Sequence, residues 1–485
     1  MQPILYNLSE QEIIRRKKLN KIQEIGMESY PAATYYISSC GKKLVENYKE
    51  YVIASIAGRI MRSRNMGNAS FSILQDHDNS IQLYIRCEII SSYNCFKKLL
   101  DIGDIVGVKG FLFKTFIGEL TLHVKNIVFL SKSLRPLPQV KSDRQGKIYD
   151  IFSDIEQRNR LRYVDLIVNE SVKIVFCLRN RIIEAIREFA NKNHYLEIET
   201  PILQTISGGA NALPFLTYHD TLDIPLYLRI ANELFLKRVI VGGFEGIFEF
   251  SRDFRNEGID RTHNPEFTIL ELYVAYKDYY WMMDFAEKLF KTIYIKLYNN
   301  TEIKIGNKTI FFTHPFPIIP LDKAIETNIG VNISGMEEDS IRNLCKKLDI
   351  KVDKTMRKDK LIDQLFSDKC EKNYIQPTFI IDHPIDMSPL TKKHRKKNGL
   401  TERFELFING NEIANSYSEL NDPIEQFKRF NEQLKKNGVI DYDFIRALEF
   451  GMPPVGGIGI GIDRLVMLFT RTTSIQEILL FPQMR

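Results

Sequence analysis

Residues 254–273 read FRNEGIDRTHNPEFTILELY. The stretch opens with Phe254-Arg255-Asn256-Glu257, in which opposite charges stand two positions apart. Residues i and i+2 of a strand share a face, so Arg255 and Glu257 are expected to point into one space. An arginine fork can hold a carboxylate and a phosphate together, and a carboxylate beside it can accept from an amino group. Alone, such a pair reads equally as a surface ion pair. That reading weakens because His263-Asn264-Pro265-Glu266-Phe267 follows at once. The second half alternates, so Phe267, Ile269, Glu271 and Tyr273 share one strand face. Glutamate is rarely buried unpaired, and Glu271 with Tyr273 suits an ammonium ligand; the plainer alternative is an edge strand with a wet face.

Two further blocks lie towards the C-terminus. In Glu405-Leu-Phe-Ile-Asn409-Gly410-Asn-Glu412, Asn-Gly between alternating runs is a strong hairpin signal. A two-residue turn sets Glu412 opposite Phe407, with Glu405 its diagonal neighbour on the same face. Two adjacent carboxylates repel unless a cation joins them, and oxygen ligands of this kind suit Mg2+ together with a substrate phosphate. Asn415, Tyr417 and Glu419 share a face with one another, but their parity is opposite to that of Glu412. Either a bulge lies between 412 and 415 or the two sets face apart. The run Gly457-Ile-Gly459-Ile-Gly461-Ile-Asp-Arg464 precedes an apolar helix. It matches neither the P-loop nor the dinucleotide fingerprint; its glycines allow close approach of a backbone to a ligand.

Upstream the character changes. Residues 51–131 hold five short alternating segments separated by turn signals, which suits a small closed barrel of the OB type. Leu134-Arg-Pro-Leu-Pro138 reads as a stiff linker. Ser9-x-x-Glu12 opens an amphipathic helix with a capping box, in which the basic cluster Arg15 to Lys18 is either a solvated face or an RNA contact. Residues 169–193 read as a long helix, and 282–375 as a mostly helical, motif-poor insertion. The expected fold is therefore α+β: an N-terminal helical extension (1–48), an OB-fold barrel (49–133), a linker (134–150) and a larger domain (151–485). The basic run Lys392 to Lys397 reads as a solvated loop.

The bulk composition is permissive. Against 67 Lys and Arg stand 61 Asp and Glu, and this mild +6 charge allows nucleic-acid binding without demanding it. The six cysteines form no C-x-x-C pair, so reduced thiols are expected and zinc is not. No apolar run approaches the roughly 20 residues that cross a bilayer, and the N-terminus lacks the pattern of a secretory signal.

Together these segments resemble the three signature motifs of class II aminoacyl-tRNA synthetases. The long helix, the following strand and Pro201 resemble motif 1, FRNE with HNPEF motif 2, and GIGIGIDR motif 3. The bacterial-type, lysine-specific subtype of class IIb is the nearer match, through GGANALPF at 208–215, YLRIANELFLKR at 227–238 and LTERFELFINGNEIANSYSELNDP at 400–423. The resemblance covers nearly the whole chain. It implies a class II catalytic domain on an antiparallel sheet flanked by helices, and an OB domain that binds the anticodon. It further implies activation of lysine by ATP to lysyl-adenylate, then transfer to the 3′-terminal ribose of tRNA(Lys).

The resemblance also implies roles at matching positions. Arg255 would bind the lysine carboxylate and the ATP α-phosphate, and with Arg464 it would be catalytic. Glu257, His263, Asn264, Phe267, Glu405, Gly461 and Arg464 would join Arg255 in holding ATP, Phe267 and Arg464 sandwiching the adenine. Glu405 and Glu412 would hold Mg2+, up to three ions per subunit. Gly209 and Glu233 would bind the α-amino group, Asn415 the carboxylate, and Glu271, Tyr273, Tyr417 and Glu419 the side-chain ammonium. Arg64, Phe71, Gln82 and Glu119 would read or stack the anticodon. A cytoplasmic homodimer is implied, with no membrane or DNA partner. Departures are Asn232, where proline is common, Arg261 and Thr262, which stand at variable positions, and the unusually basic 388–399. Aspartyl- and asparaginyl-tRNA synthetases share the architecture, but an acidic substrate would want basic groups where Glu271 and Glu419 stand. Two other readings stay open: an OB-fold protein beside an inactive synthetase-like domain, and a paralogue that lysylates a protein. The retained Arg255, Glu405, Glu412 and Arg464 oppose the first, and the OB domain the second.

Overall fold

The computed structural model describes residues 8–77, 79–86, 98–138, 141–142, 148–149, 152–210, 212–312, 315–434 and 440–484. The chain divides into two compact units, Met1–Asp154 and Ile155–Arg485.

The first unit is a five-stranded closed barrel: β1 (Ile53–Met66), β2 (Ala69–Gln75), β3 (Ser80–Arg86), β4 (Ile105–Lys114) and β5 (Leu120–Ser131), in the order β1-β2-β3-β5-β4. Alternation along each strand sends Ile56, Leu74, Leu83, Val108 and Leu122 inward. Helix α1 (Glu10–Glu24), followed by the short α2 (Gly41–Glu46), starts with the expected capping box, Ser9 and Glu12 bonding reciprocally, and adds Ile22 to the barrel core. Its basic cluster is neither a free surface nor an exposed RNA contact throughout. Arg15 is buried and donates to the carbonyls of Ser133 and Ile102, and Lys18 pairs with Asp101 at 2.6 Å. Lys132, fully buried, is held between Asp101 and Asp104. Removing one partner of a buried ion pair strands the other charge. Lys132→Ala is therefore expected to cost the barrel about 3–5 kcal/mol, read from the midpoint of its urea transition.

The second unit is built on an eight-stranded sheet: β6 (Leu196–Glu197), β7 (Gly246–Phe254), β8 (Glu266–Ala275), β9 (Ile318–Pro320), β10 (Thr378–Ile381), β11 (Arg403–Ile408), β12 (Asn411–Ser418) and β13 (Val455–Gly461). The spatial order is β9-β10-β11-β12-β13-β8-β7-β6. The six strands from β10 to β7 pair antiparallel, while the short outer strands β9 and β6 pair parallel. The period of two separates the sheet's faces. Leu270, Leu272, Phe404, Leu406, Ile458 and Ile460 pack into the main core. Helices α3 (Glu170–Lys192), α5 (Tyr279–Tyr298) and α9 (Ile462–Thr470) supply Ile182, Met282, Phe290 and Leu465 to it. Polar residues stand on the other face. Because β8 lies between β13 and β7, the edge-strand alternative does not hold. The stretch 282–298 belongs to α5 and the main core. A separate core forms where α6 (Leu321–Ile329), α7 (Glu338–Lys347) and α8 (Lys358–Lys369) pack together through Ile325, Ile341 and Leu365.

The basic run 392–397 is exposed, as expected, at Lys393, Arg395, Lys396 and Lys397, but three of its charges are paired. Lys393 pairs with Glu425 at 2.9 Å, Arg395 with Glu402 and Asp278, and Lys397 with Asp382 at 2.5 Å, while His394 is buried. Of the acids that pair with it, Asp278 and Glu425 come from distant parts of the chain, while Asp382 and Glu402 lie nearby in sequence. Of the cysteines, Cys40, Cys177, Cys345 and Cys370 are free thiols; Cys87 and Cys95, like residues 139–140, 143–147 and 150 of the expected linker, lie outside the described residues. Among the described residues no helix is long and apolar enough to cross a membrane.

Candidate active site

The polar face of the sheet carries two joined groups of side chains. Along β8, Phe267 to Tyr273 covers six residue steps, about 20 Å of strand at roughly 3.3 Å per residue. The Tyr273 end is acidic and closed. Tyr273 donates to Glu271 Oε2 at 3.0 Å, and Tyr417 donates to Glu233 Oε1 at 2.6 Å. Glu233 is the first residue of helix α4 (Glu233–Val241), where a carboxylate complements the helix dipole. Glu419 is buried, and its Oε1 has no hydrogen-bond partner. Burial, reinforced by Glu233 and Asp253, pushes the Glu271 carboxyl up to about 8. Burial also raises Glu419 well above the usual carboxylate range, Lys237 opposing it.

Glycines make room for these groups. Gly457 is the strand partner of both Tyr273 and Tyr417, and Gly459 of Glu271 and Asn415. A Cβ on Gly457 would overlap Glu419 Oε1, and one on Gly459 would sit 2.7 Å from Glu271 Oε1. Part of this glycine run therefore serves the pocket's own carboxylates. A Cβ on Gly461 would meet nothing closer than 3.8 Å, so that position leaves open space beside Arg464. Gly209, at φ +88, lies against Ala231 and Glu233.

The Phe267 end is more open and carries the arginines. The Arg255 guanidinium lies 5.0 Å from the Phe267 ring centroid, and its Nε donates to the Ile230 carbonyl at 3.4 Å. Arg464 donates to the Glu412 carbonyl at 2.9 Å and pairs with its carboxylate at 3.3 Å. It also lies 3.1 Å from His263 Nε2. Because Arg464 has only protons to offer, that ring nitrogen accepts, and Nδ1 carries the proton towards Asp260 Oδ2 at 2.8 Å. Arg403 holds Glu405 and donates to Asn415 Oδ1 at 3.1 Å. Glu412 is raised above the usual carboxylate range by burial and by Glu405, and Asp363 is pushed up to about 6 by burial and by Glu405. Carboxylates that repel one another in this way suit a cation. Glu405 and Glu412 fit Mg2+ as a pair whose remaining ligands come from elsewhere. No group of three or more His, Cys, Asp or Glu is arranged as a metal site among the described residues.

The parity conflict is resolved by a bulge. Leu406 pairs with Ala414 but Phe407 with Glu412, leaving Ile413 as the extra residue. The slip brings Glu412 onto the face of Glu405, Asn415 and Tyr417. The hairpin turn is as read, with Asn409 and Gly410 both at positive φ.

On the barrel, Arg64 pairs with Phe71 across strands, and Phe71 with Tyr84. The Phe71 and Tyr84 rings are 5.0 Å apart, and His123 lies 5.2 Å beyond Tyr84. Gln82 donates to Glu119 at 2.8 Å beside this row. The face thus combines stacking rings with an amide–carboxylate pair, a chemistry suited to unpaired bases.

Comparison with known proteins agrees with both halves. Residues 154–485 match the model of class II tRNA synthetases (D, K and N), and residues 54–130 that of the OB-fold nucleic acid binding domain. The chain belongs to the class II tRNA synthetases. It is 55% identical over 495 residues to a protein of Azobacteroides pseudotrichonymphae named lysine–tRNA ligase, covering 99% of each chain. It is 53% identical over 500 residues to the protein of that name in Porphyromonas gingivalis, covering 99% of this chain and 86% of the other. It is 52% identical over 495 residues to that of Christiangramia forsetii, covering 99% and 87%.

In this synthetase, Glu257 and Asn264 sit otherwise than their local sequence suggests. β7 ends at Phe254, so Arg255 and Glu257 do not share a strand face. Arg255 N–H still bonds the Pro265 carbonyl, but Glu257 N–H turns back onto the Arg255 carbonyl and its side chain is exposed. Asn264 spends its amide on the Glu266 carbonyl at 2.7 Å, inside its own turn. Sequence reasoning passed over Lys237, Arg403, Tyr84 and His123. Strand parity could have flagged Arg403 and Tyr84, which stand two residues from Glu405 and Gln82.

Proposed function

We propose that this synthetase is a cytoplasmic lysine–tRNA ligase that forms lysyl-adenylate from lysine and ATP and passes the lysyl group to the terminal ribose of tRNA(Lys). The observation that carries the reading is the unpartnered, buried Oε1 of Glu419 in a pocket shared with Glu271, Tyr273, Tyr417 and Glu233. Such a carboxylate asks for a cation, and a lysine side chain brings one. An acidic amino acid would meet repulsion there, which disfavours an aspartate-specific reading. The names of the relatives at 52–55% identity support the same choice.

In this reading Glu271, Tyr273, Tyr417 and Glu419 receive the ε-ammonium, Glu233 with the Gly209 backbone receives the α-ammonium, and Asn415 the carboxylate. Arg255 bridges that carboxylate and the α-phosphate. Phe267 and Arg464 hold the adenine, with Glu257, His263, Asn264 and the open backbone at Gly461 around the nucleotide. A carboxylate oxygen of lysine attacks the α-phosphorus and pyrophosphate leaves. The ribose hydroxyl of the tRNA then attacks the lysyl carbonyl and AMP leaves. No protein nucleophile is required; the residues position reactants and stabilise charge. Glu405 and Glu412 would hold Mg2+, which when bound neutralises phosphate charge. The chain would act as a homodimer. The test of function is amino-acid-dependent ATP–pyrophosphate exchange with all twenty amino acids: exchange with lysine alone is expected, and exchange with aspartate or with none would overturn the reading.

Arg64, Phe71, Gln82 and Glu119 are assigned to the anticodon. Base–aromatic stacking is worth about 1–3 kcal/mol per base. Phe71→Ala is therefore expected to lower kcat/KM for tRNA by about 10- to 100-fold while leaving exchange unchanged. Equal loss in both assays would remove the barrel from this role.

A further inference from the structure

Lys237 is a fully buried ammonium beside the proposed lysine pocket, and no step of the proposed reaction uses it. It stands on α4 one turn after Glu233, pairs with Glu233 Oε1 at 2.5 Å, and pairs with Glu419 Oε2. Its Nζ also lies 5.5 Å from the Tyr417 ring centroid. A resident lysine therefore touches two of the carboxylates assigned to substrate lysine. Resting on that assignment, we propose that Lys237 is a positioning residue that sets the charge of the pocket. Its ammonium ties Glu233 to Glu419 and cancels one carboxylate charge, so that the pocket is closed to neutrality by a substrate carrying two ammonium groups.

The charges support this. With substrate bound and all three ionised, Glu233, Glu271 and Glu419 carry three negative charges, which Lys237 reduces to two; Asp253 is taken up by Arg229 at 3.2 Å. Lysine brings an α- and an ε-ammonium. Without Lys237, one buried carboxylate would stay uncompensated with substrate in place. Geometry adds a second effect. Lys237 engages Glu419 through Oε2 only, leaving Oε1 over Gly457 beside Tyr273. Burial opposes the charge on Lys237, but Glu233 and Glu419 outweigh it and hold its pKa above the ordinary lysine value.

The groups facing one another here are Glu233 and Lys237 from α4, Glu271 and Tyr273 from β8, Tyr417 from β12, Glu419 just beyond it, and Asp253 from β7. Glu271, pushed up to about 8, is protonated at neutral pH in the free pocket. A raised carboxyl pKa favours the neutral form below it, and a bound cation favours the ionised form. Lysine binding should thus release about one proton near pH 7, and KM for lysine should fall as pH rises through about 8. Lys237 lowers the Glu271 pKa, so its removal should move that limb to higher pH.

The test compares wild type with Lys237→Met, of similar length and no charge, in lysine-dependent exchange from pH 6.5 to 9. A rise of about tenfold or more in KM for lysine at pH 7 is expected, with the pH limb displaced upward and KM for ATP unchanged. An unaltered KM and limb would overturn the proposal. A KM rise without displacement would reduce Lys237 to a packing role and also overturn it. Should the variant fail to fold, calorimetry of lysine binding to wild type in buffers of different ionisation enthalpy decides: about one proton released supports the charge count, and none refutes it. If wild type shows no lysine-dependent exchange, the lysine assignment itself fails, a result distinct from either outcome for Lys237.

Discussion

Arg255→Ala is expected to lower lysine-dependent ATP–pyrophosphate exchange by about 10²–10³-fold or more, the loss typical of removing a donor aimed at developing charge. The guanidinium is poorly engaged by the protein: one 3.4 Å bond to a carbonyl and a face of Phe267. Its fork is thus available to a ligand. For the same reason its removal should barely move the thermal midpoint. Arg255→Lys should rescue little, because a single ammonium cannot bridge carboxylate and phosphate in two planes of contact. Full exchange in Arg255→Ala would sink the assignment of this end of the cleft to nucleotide chemistry.

Glu419→Gln keeps the shape of the side chain and removes its charge. Breaking a buried charge pair costs about 3–5 kcal/mol, much of it the penalty on the partner left behind. Here the loss divides between Lys237, which keeps Glu233, and the substrate ammonium. KM for lysine is expected to rise by about 10²-fold or more, with KM for ATP little changed. Steady-state exchange with lysine and ATP varied separately reads the two terms. An unchanged KM for lysine would mean that the ammonium is received elsewhere.

Strand parity carried much of the site. Glu271, Tyr273, Tyr417 and the alternating glycines fall on one face because a period of two survives wherever pairing is regular. It failed where pairing stops: Pro265 has no N–H to continue the ladder opposite Arg255, so Glu257 leaves the sheet. It was ambiguous at Glu412 because one extra residue, Ile413, reverses parity without any signature of its own. The barrel was legible from alternation and turns, as was the long helix 170–192. Long-range pairing was not. Lys237 in ELFLKR looks like the polar side of an amphipathic helix, and only the return of the chain at Glu419 shows that it faces inward. The run 392–397 is exposed as it looks, but its pairing with Asp278, more than a hundred positions away, and with Glu425 has no local signature.

The glycines at 457 and 459 have a consequence for how such a protein tolerates change. The proposed substrate choice rests on two places where nothing is attached to the backbone, because the volume a methyl group would fill is already taken by Glu419 and Glu271. A change to alanine at either position would add no charge and break no bond of the main chain. It would nonetheless displace an acid to which the proposed function assigns the substrate ammonium. At 457 the methyl would also meet the Tyr273 ring at 2.6 Å, whereas at 459 the nearest atom is the end of the flexible Glu271 side chain, so 457 is the position that tolerates the least change.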